Sequence, residues 1–217
     1  MHINERSSAL INDFTDKIFH ILGCGAIGSS AATQLCRMGG ETFVLYDLDS
    51  VEIQNVGVSH YTLNDIGKRK VDALDNHLVS INPDVNIYAE FGRFSAFLKP
   101  LGKDDIVILG FDSMDSRLEA AVAALKNGNK PFAIIDGRMG AEEYQQYTIT
   151  NPTLGKYKTT WYSDADAEDE PCNAKATSYC SNMSGAFIAN AVKKLINEEN
   201  VAEELVFSFP GLVLGSK

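Results

Sequence analysis

The sequence has little of what marks a membrane, secreted or nucleic-acid-binding protein. No apolar run approaches the roughly 20 residues needed to span a bilayer, and residues 1–12 are polar, without the pattern of a signal peptide. We therefore expect a cytoplasmic location and no membrane partner. Lys and Arg are outnumbered, which leaves a net charge of −10. Because a phosphate backbone attracts clustered positive charge, nucleic acid is not an expected partner.

Cysteine is also scarce. The cysteines at positions 24, 36, 172 and 180 form no CxxC pair, which argues against a structural zinc site. In a cytoplasmic chain such scattered cysteines are expected to be reduced thiols. The 217 residues are enough for one large domain. We expect a polar N-terminal arm at 1–16 and a single domain at 17–217, with a crossover loop at about 151–175.

The motif around which the chain is organised is a glycine turn. Gly23, Gly25 and Gly28 form a GxGxxG between a short apolar segment and a helical pattern. The first glycine permits a tight turn, the second lets a phosphate approach the backbone, and the third lets helix and strand pack closely. The N–H groups at the start of the new helix, including those of Ala26 and Ile27, face an anion. The motif predicts a nucleotide phosphate site.

Apolar segments and helical patterns alternate through the first part of the chain. Predicted strands cover residues 18–22, 42–46, 86–90, 105–110 and 132–136, and predicted helices cover 27–38, 68–81, 116–127 and 176–197. After these five strands a more polar strand at 142–150, expected to be antiparallel, and a strand at 204–209 complete the pattern. The order predicts an α/β fold: a doubly wound, Rossmann-like, mostly parallel sheet with an antiparallel C-terminal extension.

An acidic residue, Asp47, ends the second predicted strand. In this fold a carboxylate at that place holds a ribose hydroxyl of a bound nucleotide. At this point a nicotinamide-dependent dehydrogenase and an ATP-using enzyme both fit the sequence.

Further motifs separate these two classes, because a dehydrogenase needs only the glycine turn and Asp47. In order, the others are Asp47-Leu48-Asp49 with Val51-Glu52 and Asn55, the run Asp65-Ile66-Gly67-Lys68-Arg69-Lys70, Asn82-Pro83, Asp112 with Asp115 and Arg117, and a cysteine-bearing segment before the last helix. Together they resemble the ThiF/MoeB/HesA superfamily, the ubiquitin-activating-enzyme-like adenylyltransferases. The resemblance runs from about residue 17 to residue 195, and the short chain looks similar to compact stand-alone bacterial and phage members.

The resemblance implies an activity, cofactors and partners. The expected reaction is ATP- and Mg²⁺-dependent adenylation of the C-terminal carboxylate of a ubiquitin-like or sulfur-carrier-like protein ending in glycine. A homodimer is expected by analogy with the family. Two alternatives stay open: a non-catalytic subunit that binds nucleotide or modifier, and adenylation of a peptide or of a nucleoside in transfer RNA.

The resemblance also implies roles for single residues. Asp47 would bind the ribose, with Asp49 behind it, and Asn55 and Lys70 would lie near the phosphates. Asp112 would hold Mg²⁺, a cation that prefers oxygen ligands. Each of these residues has a structural alternative, such as a helix cap or a surface charge.

Two further charged residues and one departure from the family pattern remain. Arg117 either binds phosphate or forms a structural ion pair, and Asp115 is the expected cap of the helix that follows. Where the family often carries a phosphate-binding arginine, this chain has Val58. Candidates to replace that charge are Lys68, Arg69 and Arg6, the last across a homodimer interface.

The cysteines divide by position. Relatives carry, just before the last helix, a cysteine that takes the activated modifier as a thioester or acyl disulfide. Cys172 is the first candidate for this nucleophile, because a helix N-terminus favours the thiolate. Cys180 is the second, and a chain in which neither reacts stays open. Cys24 and Cys36 are expected to be packing residues.

Overall fold

The computed structural model of the protein describes residue 3, residues 5–166 and residues 176–217. The strands are β1 (Ile18–Leu22), β2 (Thr42–Asp47), β3 (Asn86–Phe91), β4 (Asp105–Leu109), β5 (Ala133–Gly140), β6 (Glu143–Thr150), β7 (Glu204–Ser208) and β8 (Val213–Ser216). The helices are α1 (Ala26–Arg37), α2 (Ile53–Val56), α3 (Lys70–Ile81), α4 (Met114–Ala124), α5 (Leu154–Lys158) and α6 (Ser178–Ile196). Short 3-10 turns cover Glu5–Ser7, Leu63–Asp65 and Asp164–Asp166.

All the strands join one sheet in the order β3-β2-β1-β4-β5-β6-β7-β8. Pairing is parallel from β3 to β5, and β4 is buried along its whole length. Such burial explains its uninterrupted apolar sequence, since a central parallel strand is covered on both faces. The strand order reverses between β1 and β4, which creates a crevice outside the carboxyl ends of the strands. The predicted Rossmann-like sheet is confirmed.

The rest of the sheet is antiparallel, as expected for β6. Inward and outward residues alternate along β6, and Tyr144 faces inward, where its ring stacks on Phe187 of α6 at 5.9 Å between centroids. The strand β8 was not predicted, because its residues are exposed and carry no amphipathic pattern. The helices α2 and α5 were also missed, and α5 lies inside the region predicted as a crossover loop.

The helix start before α4 corrects one prediction. Ser113, and not Asp115, is the N-cap, because its hydroxyl accepts a hydrogen bond from the Ser116 N–H at 3.2 Å. The helix therefore begins at Met114, two residues before the predicted start. On the other face of the sheet α1 packs closely on α6: a Cβ at Gly185 would lie 2.2 Å from Ser30 Oγ. No helix among the described residues is both long enough and apolar enough to cross a membrane.

Candidate nucleotide site

A cavity of about 1000 Å³ lies at the carboxyl ends of the parallel strands, at the crevice where the strand order reverses. It begins at the glycine turn and extends across β5 to the antiparallel strands. Its walls include most of the residues singled out by the sequence: Gly23, Gly25, Ala26, Ile27, Asp47, Asp49, Lys70, Asp112 and Arg117. The cavity is thus built from segments far apart in the chain.

The glycine turn is shaped by steric necessity. Gly23 has φ +92° and lies against the Gly110 backbone, where a Cβ would approach to 2.8 Å. A Cβ at Gly28 would lie 1.8 Å from the Gly23 carbonyl oxygen, so strand and helix touch there. A Cβ at Gly25 would meet nothing within 4 Å. That open space, at the uncapped N-terminus of α1, fits a phosphate group.

The carboxylate of Asp47 ties the glycine turn to the end of β2. Its Oδ2 accepts a hydrogen bond from the Cys24 N–H at 2.7 Å, and its Oδ1 accepts one from the Asp49 N–H at 2.8 Å. Burial raises the pKa of Asp47, against the opposing effect of these N–H bonds and of the Lys70 charge. The two bonds hold the side chain at the cavity wall, where its carboxylate can also accept a hydrogen bond from a hydroxyl group.

Lys70, the first residue of α3, points its ammonium into the same corner. Its Nζ lies 2.8 Å from Asp49 Oδ2, and the residue is only 8% exposed. Burial lowers the pKa of Lys70, but the bond to Asp49 and the charge of Asp47 outweigh it and leave the pKa raised. The site therefore holds a permanent positive charge.

Asp112 lies three residues beyond Leu109, the last residue of β4, and is exposed at the cavity wall. Its side chain makes no hydrogen bond or ion pair with any other described residue. A free carboxylate with hard oxygen atoms is a suitable ligand for Mg²⁺.

Below the cavity, two arginines share one buried aspartate. The Arg117 guanidinium bonds the Asp136 carboxylate and the Gly137 carbonyl oxygen, and Arg138 Nη2 lies 2.7 Å from Asp136 Oδ2. Tyr157 donates its hydroxyl to the same carboxylate at 3.2 Å. Of the two roles weighed for Arg117, the structure shows the ion pair. Two positive charges against one negative charge leave this floor positive.

The cations proposed to replace the missing arginine lie elsewhere. Lys68 pairs with Asp65 at 2.8 Å, and the Arg69 guanidinium lies over the Phe91 ring at 4.5 Å. Arg6 is exposed in the Glu5–Ser7 turn. None of the three cations lines the cavity.

Two other arginines do line the cavity, and sequence reasoning missed both. Arg93 follows β3 and is largely exposed, with a 3.4 Å contact to Glu119. Arg138 lies near the end of β5 with its guanidinium over the Tyr147 and Tyr162 rings at 4.6 and 5.2 Å. Their shared position, at or just beyond the carboxyl end of a parallel strand, is the signal that would have found them.

Three predicted site residues remain. Asn55 lies outside the cavity wall, and its Oδ1 accepts the Glu52 N–H at 2.8 Å in a capping box of α2. Cys180 is buried as a free thiol, and burial raises its pKa to about 11, which favours a packing role. Cys172 lies outside the described residues. Cys24 and Cys36 are buried, as expected of packing residues.

The fold and the site together define a family. The ThiF family model matches residues 7–210, and the chain belongs to that family. It is 26% identical over 225 residues to ubiquitin-like modifier-activating enzyme 5 of Drosophila ananassae, covering 92% of this chain and 57% of that protein. Against the enzyme of the same name from Caenorhabditis briggsae it is 31% identical over 121 residues, covering 50% and 28%. The chain thus spans less than two thirds of the length of these relatives.

Solved structures show the same fold. Escherichia coli MccB with succinimide superposes with a TM-score of 0.76 at 16% identity, covering 99% of this chain and 70% of that one. MccB with ATP gives a TM-score of 0.71 at 16% identity, covering 99% and 65%. PaaA gives 0.72 at 19% identity, covering 94% and 64%.

Proposed function

We propose that the protein uses ATP to adenylate a carboxylate. A carboxylate oxygen of the substrate attacks the α-phosphorus of ATP, a new P–O bond forms, and the bond to the departing pyrophosphate breaks. The products are an acyl-adenylate and pyrophosphate. The proposal rests mainly on one observation: the glycine turn, Asp47, Lys70 and Asp112 all face a single cavity.

The cavity offers ATP a suitable place for each of its parts. Leu48, Phe94 and Phe111 provide an apolar wall for the base beside the Asp47 carboxylate, which would take the ribose. Gly25 leaves room for phosphate oxygens at the start of α1. A crystal structure of MccB, which has the same fold, contains ATP.

Charge neutralisation would come from several sources. Lys70, whose ammonium lines the cavity, would stabilise charge on the leaving pyrophosphate, and Asp112 would hold Mg²⁺. When bound, the metal supplies positive charge to the phosphate oxygens. Arg93 is exposed at the wall and only weakly paired, so we assign it the phosphate charge that Val58 cannot provide.

The cavity has a volume at the upper end of the range of about 300–1,000 Å³ typical of ligand pockets, and it extends beyond the glycine turn to the antiparallel strands. The part that extends over β5 to β7 is lined by Arg138, Gly140, Glu143, Gln145 and Val206. We assign it to the carboxylate substrate. The relatives are named as ubiquitin-like modifier-activating enzymes, so we propose a ubiquitin-like protein with a C-terminal glycine as that substrate.

A second reaction step and an oligomeric state also belong to this proposal. Transfer of the activated acyl group to Cys172 would form a thioester and release AMP, and a homodimer would allow Arg6 to reach the partner's site. A thiol-sensitive adduct that persists in Cys172→Ala would contradict the first. A monomer by light scattering would contradict the second.

Pyrophosphate exchange into ATP tests the main proposal. The purified chain is assayed with Mg²⁺ and a ubiquitin-like protein ending in Gly-Gly, against the same protein without its last two residues. Exchange that needs the metal and the intact terminus supports adenylation. ATP binding without exchange would favour a nucleotide-binding subunit, and no binding at millimolar ATP would contradict the proposal. Preference for a nicotinamide cofactor would favour a dehydrogenase.

A further inference from the structure

A carboxylate from the segment between β6 and α6 caps the distant helix α4. Asp164 Oδ1 accepts a hydrogen bond from the Met114 N–H at 2.8 Å. Its Oδ2 accepts weaker bonds from the Ser113 hydroxyl at 3.3 Å and the Asp115 N–H at 3.4 Å. A carboxylate at a helix N-terminus is stabilised both by these unsatisfied N–H groups and by the helix dipole.

The same segment is attached at two neighbouring points. The Trp161 indole N–H donates to the Met114 carbonyl oxygen at 2.8 Å, and Arg138 Nη1 donates to the Thr160 carbonyl oxygen at 2.8 Å. Asp164 therefore does not approach α4 as a free loop residue. It belongs to a strap, residues 160–164, that joins the end of β5 to the start of α4.

Asp112 lies between two fixed points of the backbone. On its N-terminal side the Gly110 N–H donates to the Leu22 carbonyl oxygen at 2.8 Å. On its C-terminal side the Met114 N–H is held by Asp164. Because the Asp112 side chain has no bonded partner among the described residues, these backbone anchors are what restrains its Cα and so limits where its carboxylate can lie.

We propose that Asp164 is a positioning residue for Asp112. By capping α4 it holds the turn at residues 113–115 and, through that turn, the carboxylate assigned to Mg²⁺. The proposal rests on the proposed function, in which Asp112 binds the metal. Groups that orient a metal ligand without touching the metal typically change metal affinity about 10–100-fold when removed.

Two substitutions distinguish positioning from charge, since both Asp112 and Asp164 line the cavity. Asp164→Ala removes the bonds that Asp164 accepts at the start of α4, together with its negative charge, and leaves the bond between Ser113 and Ser116 in place. Asp164→Asn removes the charge and the weaker bonds accepted by Oδ2 but keeps the shortest one, because the amide oxygen can still accept from the Met114 N–H. Asp115→Ala is the matched control: it removes an exposed carboxylate from the same helical turn without removing the cap.

The experiment has two readouts. Hydrogen exchange of the Met114 and Asp115 amides reports the cap, and calorimetric titration of ATP over a range of Mg²⁺ concentrations reports the metal. We expect Asp164→Ala to speed amide exchange and to raise the Mg²⁺ concentration for half-maximal ATP binding about 10-fold or more. Asp164→Asn and Asp115→Ala should stay within about twofold of wild type in the Mg²⁺ requirement, since neither removes the backbone anchor.

Each contrary outcome is distinct. Unchanged amide exchange in Asp164→Ala means that the cap does not hold the turn, and the proposal fails. Faster exchange with an unchanged Mg²⁺ requirement means that the turn does not position Asp112, and the proposal again fails while adenylation stands. An Asn variant that behaves like Ala means that the bond from the Met114 N–H does not carry the effect, and positioning through that anchor fails. Wild-type protein that binds ATP without Mg²⁺ dependence overturns the metal part of the proposed function and this inference with it.

Discussion

Lys70 Nζ lies 2.8 Å from Asp49 Oδ2, and the Lys70 N–H also donates to the Asp49 carbonyl oxygen at 2.9 Å. The start of α3 is thereby joined to the end of β2, beside the glycine turn. The lysine side chain is nearly buried, but the Asp49 side chain is 54% exposed. Because a half-exposed carboxylate holds its partner weakly, a phosphate can take over the ammonium without a large loss of free energy.

Replacing this lysine should weaken nucleotide binding. We expect Lys70→Ala to reduce ATP affinity about 10- to 100-fold, which corresponds to the loss of one hydrogen bond to a charged group. Isothermal titration calorimetry measures the affinity. Lys68→Ala is the control, because Lys68 pairs with Asp65 and does not line the cavity. Equal losses in the two variants would show that Lys70 has no special contact with the phosphates.

Two glycines of the turn should respond differently to the same substitution. In Gly28→Ala the new Cβ meets the Gly23 carbonyl oxygen, so we expect a large loss of thermal stability. In Gly25→Ala the Cβ enters open space, so the melting temperature should change little while ATP affinity falls. Thermal unfolding and calorimetry on both variants check this. Full ATP affinity in Gly25→Ala would mean that the phosphates lie elsewhere.

The free carboxylate at the end of β4 should control the metal requirement. We expect Asp112→Asn to lower pyrophosphate exchange by about 100-fold or more, because it removes charge stabilisation from the reacting centre. The rate is measured over a range of Mg²⁺ concentrations, with Asp115→Asn as the control. Exchange in Asp112→Asn that matches the control at every Mg²⁺ concentration would contradict the assigned role.

A pair of histidines should make the protein sensitive to acid. The His60 and His77 rings lie 5.6 Å apart, and the Nε2 of each is buried without a hydrogen-bond partner in the described chain. Burial lowers the pKa of both, and the nearby Arg37 lowers it further. The Asp65 charge raises the pKa of His77, and a hydrogen bond between His60 and the Asn182 side chain raises that of His60, but neither outweighs burial.

The direction of this pH effect follows from the difference in proton binding between the unfolded and the folded protein. Below pH 6.5, the ordinary pKa of histidine, the unfolded chain binds protons that the folded histidines do not bind, because their pKa values are lowered. The free energy of unfolding therefore falls as the pH falls through 6.5. We expect the melting temperature to decrease between pH 7.5 and pH 5.5, by about 2–4 °C for each kcal/mol lost. The variant His60→Gln/His77→Gln should lose less. An identical decrease in the double variant would assign the acid sensitivity to other groups.

Several elements were predictable because local patterns decide them. The strand β1 has the predicted bounds, since an apolar run ends at a glycine that no strand interior favours. The strand β5 extends beyond its predicted end at Asp136, because β6 pairs with it as far as Gly140. The sequence of residues 137–140 alone does not predict that pairing, because the partner residues lie on another strand. The strand β8 was missed because its exposed residues carry no amphipathic pattern, and only its pairing with β7 makes it a strand.

The residues of the candidate site also fall into two groups: those that the sequence predicts and those that only the folded chain brings together. The sequence alone was enough to predict that the glycine turn, Asp47, Lys70 and Asp112 belong to one site. The turn and Asp47 stand where a predicted strand ends, and Lys70 and Asp112 lie in motifs that resemble those of the family. Only the tertiary structure decided that Arg93 and Arg138 face the cavity, that Arg117 is paired with Asp136, and that Asp164 caps α4. Those contacts join segments far apart in the chain, and their geometry exists only once the whole sheet has brought the strand ends together.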